Sequence, residues 1–105
     1  MTIICRVVYY IRKVMKTKLL KSIDSFISLL FTFGKVGYAE WAKTNFPQMV
    51  NNLWEENKSD ADNIKNIEEQ FNLNKTINEL QGNVDAVKCI DAFLEGWFVD
   101  VKKML

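Results

Sequence analysis

The sequence predicts an all-α fold, a compact bundle of four to six helices around one core. One indication is that apolar residues recur at steps of three and four along most of the chain, which is the spacing of one helix face. Another is the composition, since 49% of the 105 residues are hydrophobic and only one proline and four glycines occur. A chain of this size can bury roughly two thirds of its unfolded surface. We see no repeat or linker, so we expect residues 1–105 to form a single domain.

The N-terminal segment, residues 3–33, predicts helical structure with one break. An uninterrupted helix would be about 45 Å long, which is longer than a domain of this size is wide. We therefore expect Thr17 or Ser22 to cap a second helix, which Gly34 and Gly37 then end. The β-branched start, TIICRVVYYI, leaves a strand as the alternative there. The apolar face consists of Ile4, Val7, Val8, Ile11, Val14, Met15, Leu19, Ile23, Phe26, Ile27, Leu30 and Phe31.

Pro47 and Ser59 predict where the next two helices begin. Pro47 suits the first turn of a helix because its missing N–H is not needed there, and Asn45 or Phe46 would be the cap. Ser59 precedes two closely spaced aspartates, a composition typical of a helix N-terminus. The side chains expected to face inward are Val50, Leu53, Trp54, Ile64, Ile67 and Phe71.

The C-terminal third predicts a short extension and a last helix. The segment NKTINELQG predicts a partial turn or two that contain Ile77 and Leu80, and Gly82 would close them. The last helix is expected to bury one apolar stripe. That stripe consists of Val84, Val87, Ile90, Leu94, Trp97, Val101 and Leu105, widened by Phe93 and Phe98.

Charge is divided unevenly along the chain, although the net charge is only +1. Residues 1–39 contain seven Lys or Arg and one acid, whereas residues 40–105 contain seven Lys and twelve Asp or Glu. Either the two halves pair within the fold, or the molecule carries two surfaces of opposite sign that steer charged partners. Both interpretations stay open at the level of sequence.

The basic charge of residues 3–31 argues against a membrane-spanning helix, which needs about 20 largely uncharged residues. A secretory signal read from Met15 is one alternative, because KTKLLK precedes the apolar FISLLFTF, although Asp24 and Lys35 oppose it. A basic amphipathic helix lying on a membrane surface is another. We expect instead core helices with a basic outer face in a cytoplasmic protein that starts at Met1 or Met15.

The chain contains no histidine, which removes the commonest general base and metal ligand and every Ser–His or Cys–His nucleophile. We therefore predict a non-enzymatic protein with no cofactor and no bound metal. Cys5 and Cys89 are expected to be reduced, buried thiols. A small helical enzyme or metal carrier stays an alternative, because carboxylates on separate helices can converge in a bundle. Its candidates are Glu55, Glu56, Asp60, Asp62, Glu68 and Glu69.

A regulatory or nucleic-acid-binding protein is a second alternative. It would combine positive charge with tyrosine rings that can stack on bases. The nearly neutral net charge argues against nucleic acid as the partner. The residues concerned are Arg6, Arg12, Lys13, Lys16, Lys18 and Lys21, with Tyr9 and Tyr10.

The acidic segment, residues 54–71, gives the most specific functional prediction. Its sequence WEENKSDADNIKNIEEQF contains six acids against Lys58 and Lys65, and aromatic residues bound it. Clustered carboxylates accelerate association with a basic partner, and a large aromatic side chain can anchor the contact. Solvated faces and helix caps are the simpler interpretation of the same charges. The predicted partner-binding residues are Trp54, Glu55, Glu56, Asp60, Asp62, Glu68 and Glu69.

The helical order, the absence of histidine and segments such as FPQMVNNLWEENKSD give the chain an overall style that resembles the small all-helical immunity proteins that bacteria pair with secreted toxins. This resemblance implies a protein that covers a toxin's active site or an adjacent surface. For a nuclease toxin it implies an acid-rich covering surface that imitates a phosphate backbone. The basic N-terminal half departs from the uniformly acidic immunity proteins. The expected partner is a protein, most concretely a cognate toxin. The resemblance implies that the toxin would be bound by Glu55, Glu56, Asp60, Asp62, Glu68 and Glu69 together with Trp54.

Overall fold

The computed structural model describes the backbone of residues 3–105 and the side chains of residues 14–105. The described chain forms a bundle of four helical stretches without a strand, which confirms the predicted all-α fold. The helices are α1 (Ile3–Thr32), α2 (Val36–Leu53), α3 (Asp60–Leu80), α4 (Val84–Ala92) and α5 (Phe98–Lys102), with a π-helical segment, Phe93–Trp97, between the last two. The N-terminal segment for which a strand was the alternative is therefore helical from Ile3 onward.

Two helical hairpins meet at one end of the bundle. Gly34, at φ +74°, closes the turn between α1 and α2, and Gly82, also at φ +74°, closes the turn between α3 and α4. Only glycine adopts this left-handed conformation at little cost, so both predicted glycine stops are confirmed. Gly37 lines the same cavity as Gly82, which places the two turns side by side. Gly37 itself lies inside the first turn of α2, so its predicted role in ending the preceding helix is wrong.

Five phenylalanine rings from five different elements form the centre of the core. Phe46 on α2 contacts Phe71 on α3 with ring centroids 4.8 Å apart, and it lies 5.3 Å from Phe93. Phe26 on α1 and Phe98 on α5 complete the cluster through Phe93, at 5.3 and 6.1 Å. Edge-to-face and tilted pairs of this kind stabilise a core beyond the area they bury. One ring cluster therefore holds all four helical stretches together.

The predicted break near Thr17 or Ser22 is wrong, because α1 runs without interruption over 30 residues. Neither glycine nor proline occurs within it, so nothing in the backbone favours a stop. The bundle accommodates the long helix by being elongated, with a longest dimension of 50 Å. The expectation failed because it assumed a nearly spherical domain.

Pro47 lies inside α2 and does not begin it, which corrects the predicted helix start. An interior proline removes one backbone hydrogen bond, here the one to the carbonyl of Lys43. Lys43 lies on the exposed side of α2, where a carbonyl without a helical partner costs less than it would in the core. Asn45, a predicted cap, instead donates its side-chain amide to the carbonyl of Trp41 at 2.8 Å. Phe46, the other predicted cap, is fully buried at the centre of the core.

The π-helical segment changes which side of the last helical stretch faces the core. Hydrogen bonds between residues five apart bring Phe93 and Phe98 to the same side, and both are fully buried. Ile90 and Val101 are buried as predicted, whereas Val84 and Leu105, the two ends of the predicted stripe, are 58% and 56% exposed and do not belong to the core. Before the turn at Gly82, α3 continues through the predicted extension to Leu80 as one helix.

Candidate partner-binding surface

A buried amide side chain holds the loop between α2 and α3 in place. Asn63, the fourth residue of α3, is 1% exposed. Its Nδ2 donates to the carbonyl of Glu55 at 2.8 Å and to that of Lys58 at 3.4 Å, and its Oδ1 accepts from the backbone N–H of Glu55 at 2.9 Å. These bonds satisfy backbone groups that no helix serves. The loop that carries Glu55 and Glu56 is thereby fixed to α3.

Ser59 begins α3, as the sequence predicts. Its Oγ accepts a hydrogen bond from the backbone N–H of Asp62 at 3.1 Å, which satisfies one of the free donors at the helix start. Asp60 and Asp62 lie in the first turn, where negative charge complements the helix dipole. Part of the acidic character of the segment therefore serves the helix itself.

Two of the predicted carboxylates form ion pairs with neighbouring lysines. Glu55 lies 2.6 Å from the Nζ of Lys58, and this bond raises the pKa of Lys58. Glu68 accepts from the Nζ of Lys102 at 2.8 Å and so connects α3 to α5. Both pairs are partly exposed to solvent, so each contributes little to stability. Glu68 faces a neighbouring helix and is less available to a partner than the other acids.

The remaining carboxylates differ in exposure. Glu56, in the loop, and Asp62 and Glu69, on α3, are exposed, whereas Asp60 is half-buried. Asp62 and Glu69 are seven residues apart, almost two helical turns, so both point away from the core on the same side of α3. The structure therefore brings the acids of the loop and of the outer side of α3 onto the surface and turns Glu68 towards α5.

Trp54 lies in the core. It is 7% exposed at the end of α2 and belongs to the main hydrophobic cluster. A side chain this deeply buried has almost no area left to contact a partner. The surface of the acidic segment is therefore formed by its carboxylates, and a hydrophobic anchor has to come from elsewhere.

Sequence reasoning missed an exposed apolar row on the C-terminal half of α3. Leu73 is 52% exposed, Ile77 43% and Leu80 85%. Steps of four and three separate them, and this spacing was visible in the sequence as a helical face. The line of side chains along the outer side of α3 is named the outer stripe and consists of Asp62, Asn66, Glu69, Leu73, Thr76 and Leu80, all exposed except Asn66, which is half-buried.

The basic face of α1 does not pair with the acidic half within the described side chains. Lys16, Lys18 and Lys21 form no ion pair there, and Lys35 only lies over the ring of Tyr38, 5.5 Å from its centroid. The ion pairs found among residues 14–105 all join partners in the acidic half. Arg6, Arg12 and Lys13, with Tyr9 and Tyr10, lie outside the described side chains. The described lysines of α1 thus form a positive surface separate from the acidic one.

Cys89 is a free, buried thiol, as the sequence predicts, whereas the side chain of Cys5 lies outside the described part. The Sγ of Cys89 lies 3.8 Å from the carbonyl of Tyr38, and burial raises the pKa of the Cys89 thiol to about 12. A thiol with so high a pKa is almost entirely protonated at neutral pH and is a poor nucleophile. Cys89 is a packing residue.

The part of the chain that the structure describes contains neither a metal centre nor a membrane-spanning helix. Among the described residues, no group of three or more His, Cys, Asp or Glu side chains is placed to hold a metal ion. None of the described helices combines the length and apolar character needed to cross a membrane. No protein-family model, curated protein or solved structure matches the chain.

Proposed function

We propose that this chain is a non-enzymatic protein-binding module that neutralises or sequesters a basic protein partner through its acidic segment. The observation that carries the proposal is the set of hydrogen bonds between the buried side chain of Asn63 and the loop before α3. It fixes the loop with Glu55 and Glu56 to the helix that presents Asp62 and Glu69. Carboxylates on a fixed backbone lose little conformational freedom when a partner binds.

The charge of this surface favours fast association. Residues 54–71 contain six acids and two lysines. A concentrated negative field raises the association rate of a positively charged partner and disfavours acidic competitors. The separate positive surface on α1 lets the molecule keep this local field while its net charge stays near zero.

Toxin immunity is the most concrete form of the proposal. An inhibitor of this kind acts by covering a surface, so it needs no catalytic group of its own. If the toxin is a nuclease, its active site is basic because it binds phosphates, and an acidic loop and helix complement it. The support is the style of the sequence together with the fixed acidic surface.

A second candidate function uses the basic face of α1 to bind nucleic acid. It is favoured by Lys16, Lys18 and Lys21, which form no ion pair in the described part of the chain. Its affinity would fall steeply as salt rises, because phosphate binding releases counterions. Binding of duplex or single-stranded DNA that is undetectable at about 50 mM salt would remove it.

The proposed function is tested by capturing the partner and neutralising the acidic surface. The intact chain is used as affinity bait in its native host, the captured protein is identified by mass spectrometry, and its binding is followed by surface plasmon resonance. The variant Glu55→Gln/Asp62→Asn/Glu69→Gln should slow association by about tenfold at low salt and flatten the dependence of the rate on salt.

A matched control removes the same charge from exposed acids outside the segment. The variant Glu40→Gln/Glu79→Gln/Glu95→Gln should associate nearly as fast as the wild type. Equal slowing in both variants would mean that only net charge matters, and it would contradict a defined binding surface. An association rate that neither variant changes would also contradict the proposal.

A further inference from the structure

The outer stripe changes its chemistry halfway along α3. Its successive members are separated by steps of four and three residues, so they follow one line on the helix surface. The N-terminal half presents Asp62 and Glu69, and the C-terminal half presents Leu73 and Leu80, with Ile77 beside them. Eighteen residues separate the first member from the last, a length of about 27 Å along the helix.

Steps of four and three with apolar residues are also the pattern by which one helix packs against another. Within the described bundle, α3 already uses its opposite side for the core, through Ile64, Ile67 and Phe71. The leucines of the outer stripe do not contribute to that core. Single exposed leucines are ordinary on a protein surface, but leucines aligned at helical spacing indicate a contact surface.

We infer that the outer stripe of α3 is the docking face for an amphipathic helix of the partner protein, one that is basic at one end and apolar at the other. The inference rests on the proposed function and adds the anchor that the buried Trp54 does not supply. Complementary charge at Asp62 and Glu69 sets the position of the partner helix along α3 and speeds its approach. Burial of Leu73 and Leu80 then slows its dissociation.

The occupant follows from the order of charges and apolar groups along the stripe. An uncharged apolar helix would leave Asp62 and Glu69 buried without partners, which is costly. A uniformly basic helix would place lysines against Leu73 and Leu80. Only a helix divided in the same way satisfies both halves, and about five turns cover the whole stripe.

A synthetic helix tests the docking face without knowledge of the native partner. The probe is a fluorescein-labelled peptide of about 20 residues with an alanine and glutamine background, lysines along one face in one half and leucines along the same face in the other. Its binding to the intact chain is measured by fluorescence anisotropy. The second probe has glutamate in place of lysine and should bind at least about tenfold more weakly.

Two pairs of substitutions at exposed apolar positions distinguish binding at the outer stripe from nonspecific hydrophobic binding. Leu73→Gln/Leu80→Gln should weaken binding of the lysine peptide by about tenfold or more, because it removes both anchors from the interface. Met104→Gln/Leu105→Gln, at positions 53% and 56% exposed, should leave it unchanged. All four side chains are at least half exposed, so circular dichroism melting curves should stay within a few degrees of the wild type.

The inference is overturned if the two pairs of substitutions weaken binding equally, or if the glutamate peptide binds as well as the lysine peptide. It is also overturned if sedimentation shows a dimer of the intact chain that Leu73→Gln/Leu80→Gln dissociates, because a second copy would then cover the stripe. The proposed function is tested independently of the docking face. If neutralising Glu55, Asp62 and Glu69 slows the captured partner but the leucine pair has no effect on it, only the docking face is wrong.

Discussion

At the scale of single residues, Asn63 connects the core to the candidate surface. One buried amide makes three hydrogen bonds to the loop that precedes α3, and the loop carries the first two acids of the surface. A fixed position for Glu55 and Glu56 thus depends on a side chain that no partner touches. The amide itself is unremarkable in the sequence, because its importance comes from the carbonyls that the fold places beside it.

We expect Asn63→Ala to lower the free energy of unfolding by about 2 kcal/mol, since it leaves backbone groups of Glu55 and Lys58 without partners. Asn72→Ala is the control, because Asn72 lies on the same helix and donates to the carbonyl of Glu68 at 3.0 Å but is exposed. Its effect should stay within about 0.5 kcal/mol. Urea denaturation of both variants measures the difference, and equal losses would show that Asn63 has no special role.

Cys89 predicts a dependence of stability on pH. Burial raises the pKa of its thiol from 9.0 to about 12. Above pH 9 the unfolded chain loses the thiol proton while the folded chain keeps it, so the folded state is progressively disfavoured as pH rises towards 12. This one group should lower the free energy of unfolding by about 1.4 kcal/mol between pH 7 and pH 10.

The measurement compares urea denaturation of the wild type and Cys89→Ala at pH 7 and pH 10. Both chains contain the same other ionisable groups, so the loss specific to Cys89 is the difference between their two pH effects. The wild type should lose more stability than the variant. Identical losses would mean that the thiol ionises as readily in the folded chain as in the unfolded one.

At the scale of elements, the features set by local chemistry were predictable. Gly34 and Gly82 close turns because only glycine tolerates their backbone conformation, and Ser59 begins α3 because its hydroxyl accepts from a free N–H. Helix starts that depend on the rest of the fold were not predictable. Pro47 suits a first turn locally, but burial of Phe46 against Phe71 and Phe93 keeps the preceding residues helical.

The π-helical segment and the outer stripe also depend on the rest of the fold and were not predictable from the sequence. Val84 lies nine residues before Phe93, which is two and a half helical turns, so it is on the side of α4 opposite the core, and grouping it with Ile90 by steps of three was wrong. Packing of Phe93 and Phe98 in one cluster then shifts the register of the residues that follow. The acids of the surface were predictable from composition. The burial of Trp54 and the exposure of Leu80 depend on which side of each helix the bundle covers, and a single sequence leaves that open.

The continuity of α1 gives a prediction at this scale. Lys18 is exposed and lies in the middle of the helix, so Lys18→Pro should lower the free energy of unfolding by about 3 kcal/mol or more. If Thr17 capped a new helix instead, position 18 would be its first residue, where proline is tolerated. Lys18→Ala controls for the loss of the side chain and should be nearly neutral. Urea denaturation followed at 222 nm distinguishes the two cases.

At the scale of the whole molecule, one core supports two surfaces of opposite charge. The phenylalanine cluster joins α1 to α3 and to the last helical stretch, so the basic and acidic faces belong to one bundle with a shared core. Ion pairs among the described side chains lie within the acidic half and do not include the described lysines of α1, of which Lys18 and Lys21 are exposed and Lys16 is half-buried. The acidic face has the fixed loop, and it continues into the leucines of the outer stripe. These features favour it as the partner surface.

The most direct test of this assignment is carboxylate footprinting of the chain with and without its captured partner. A carbodiimide and glycine ethyl ester label exposed Asp and Glu side chains, and mass spectrometry measures the labelling at each position. We predict strong protection of Glu56, Asp62 and Glu69 in the complex, with Glu40 and Glu95 labelled as in the free chain. Unchanged labelling of Glu56, Asp62 and Glu69 in a saturated complex would contradict the account, because the partner would then bind elsewhere on the molecule.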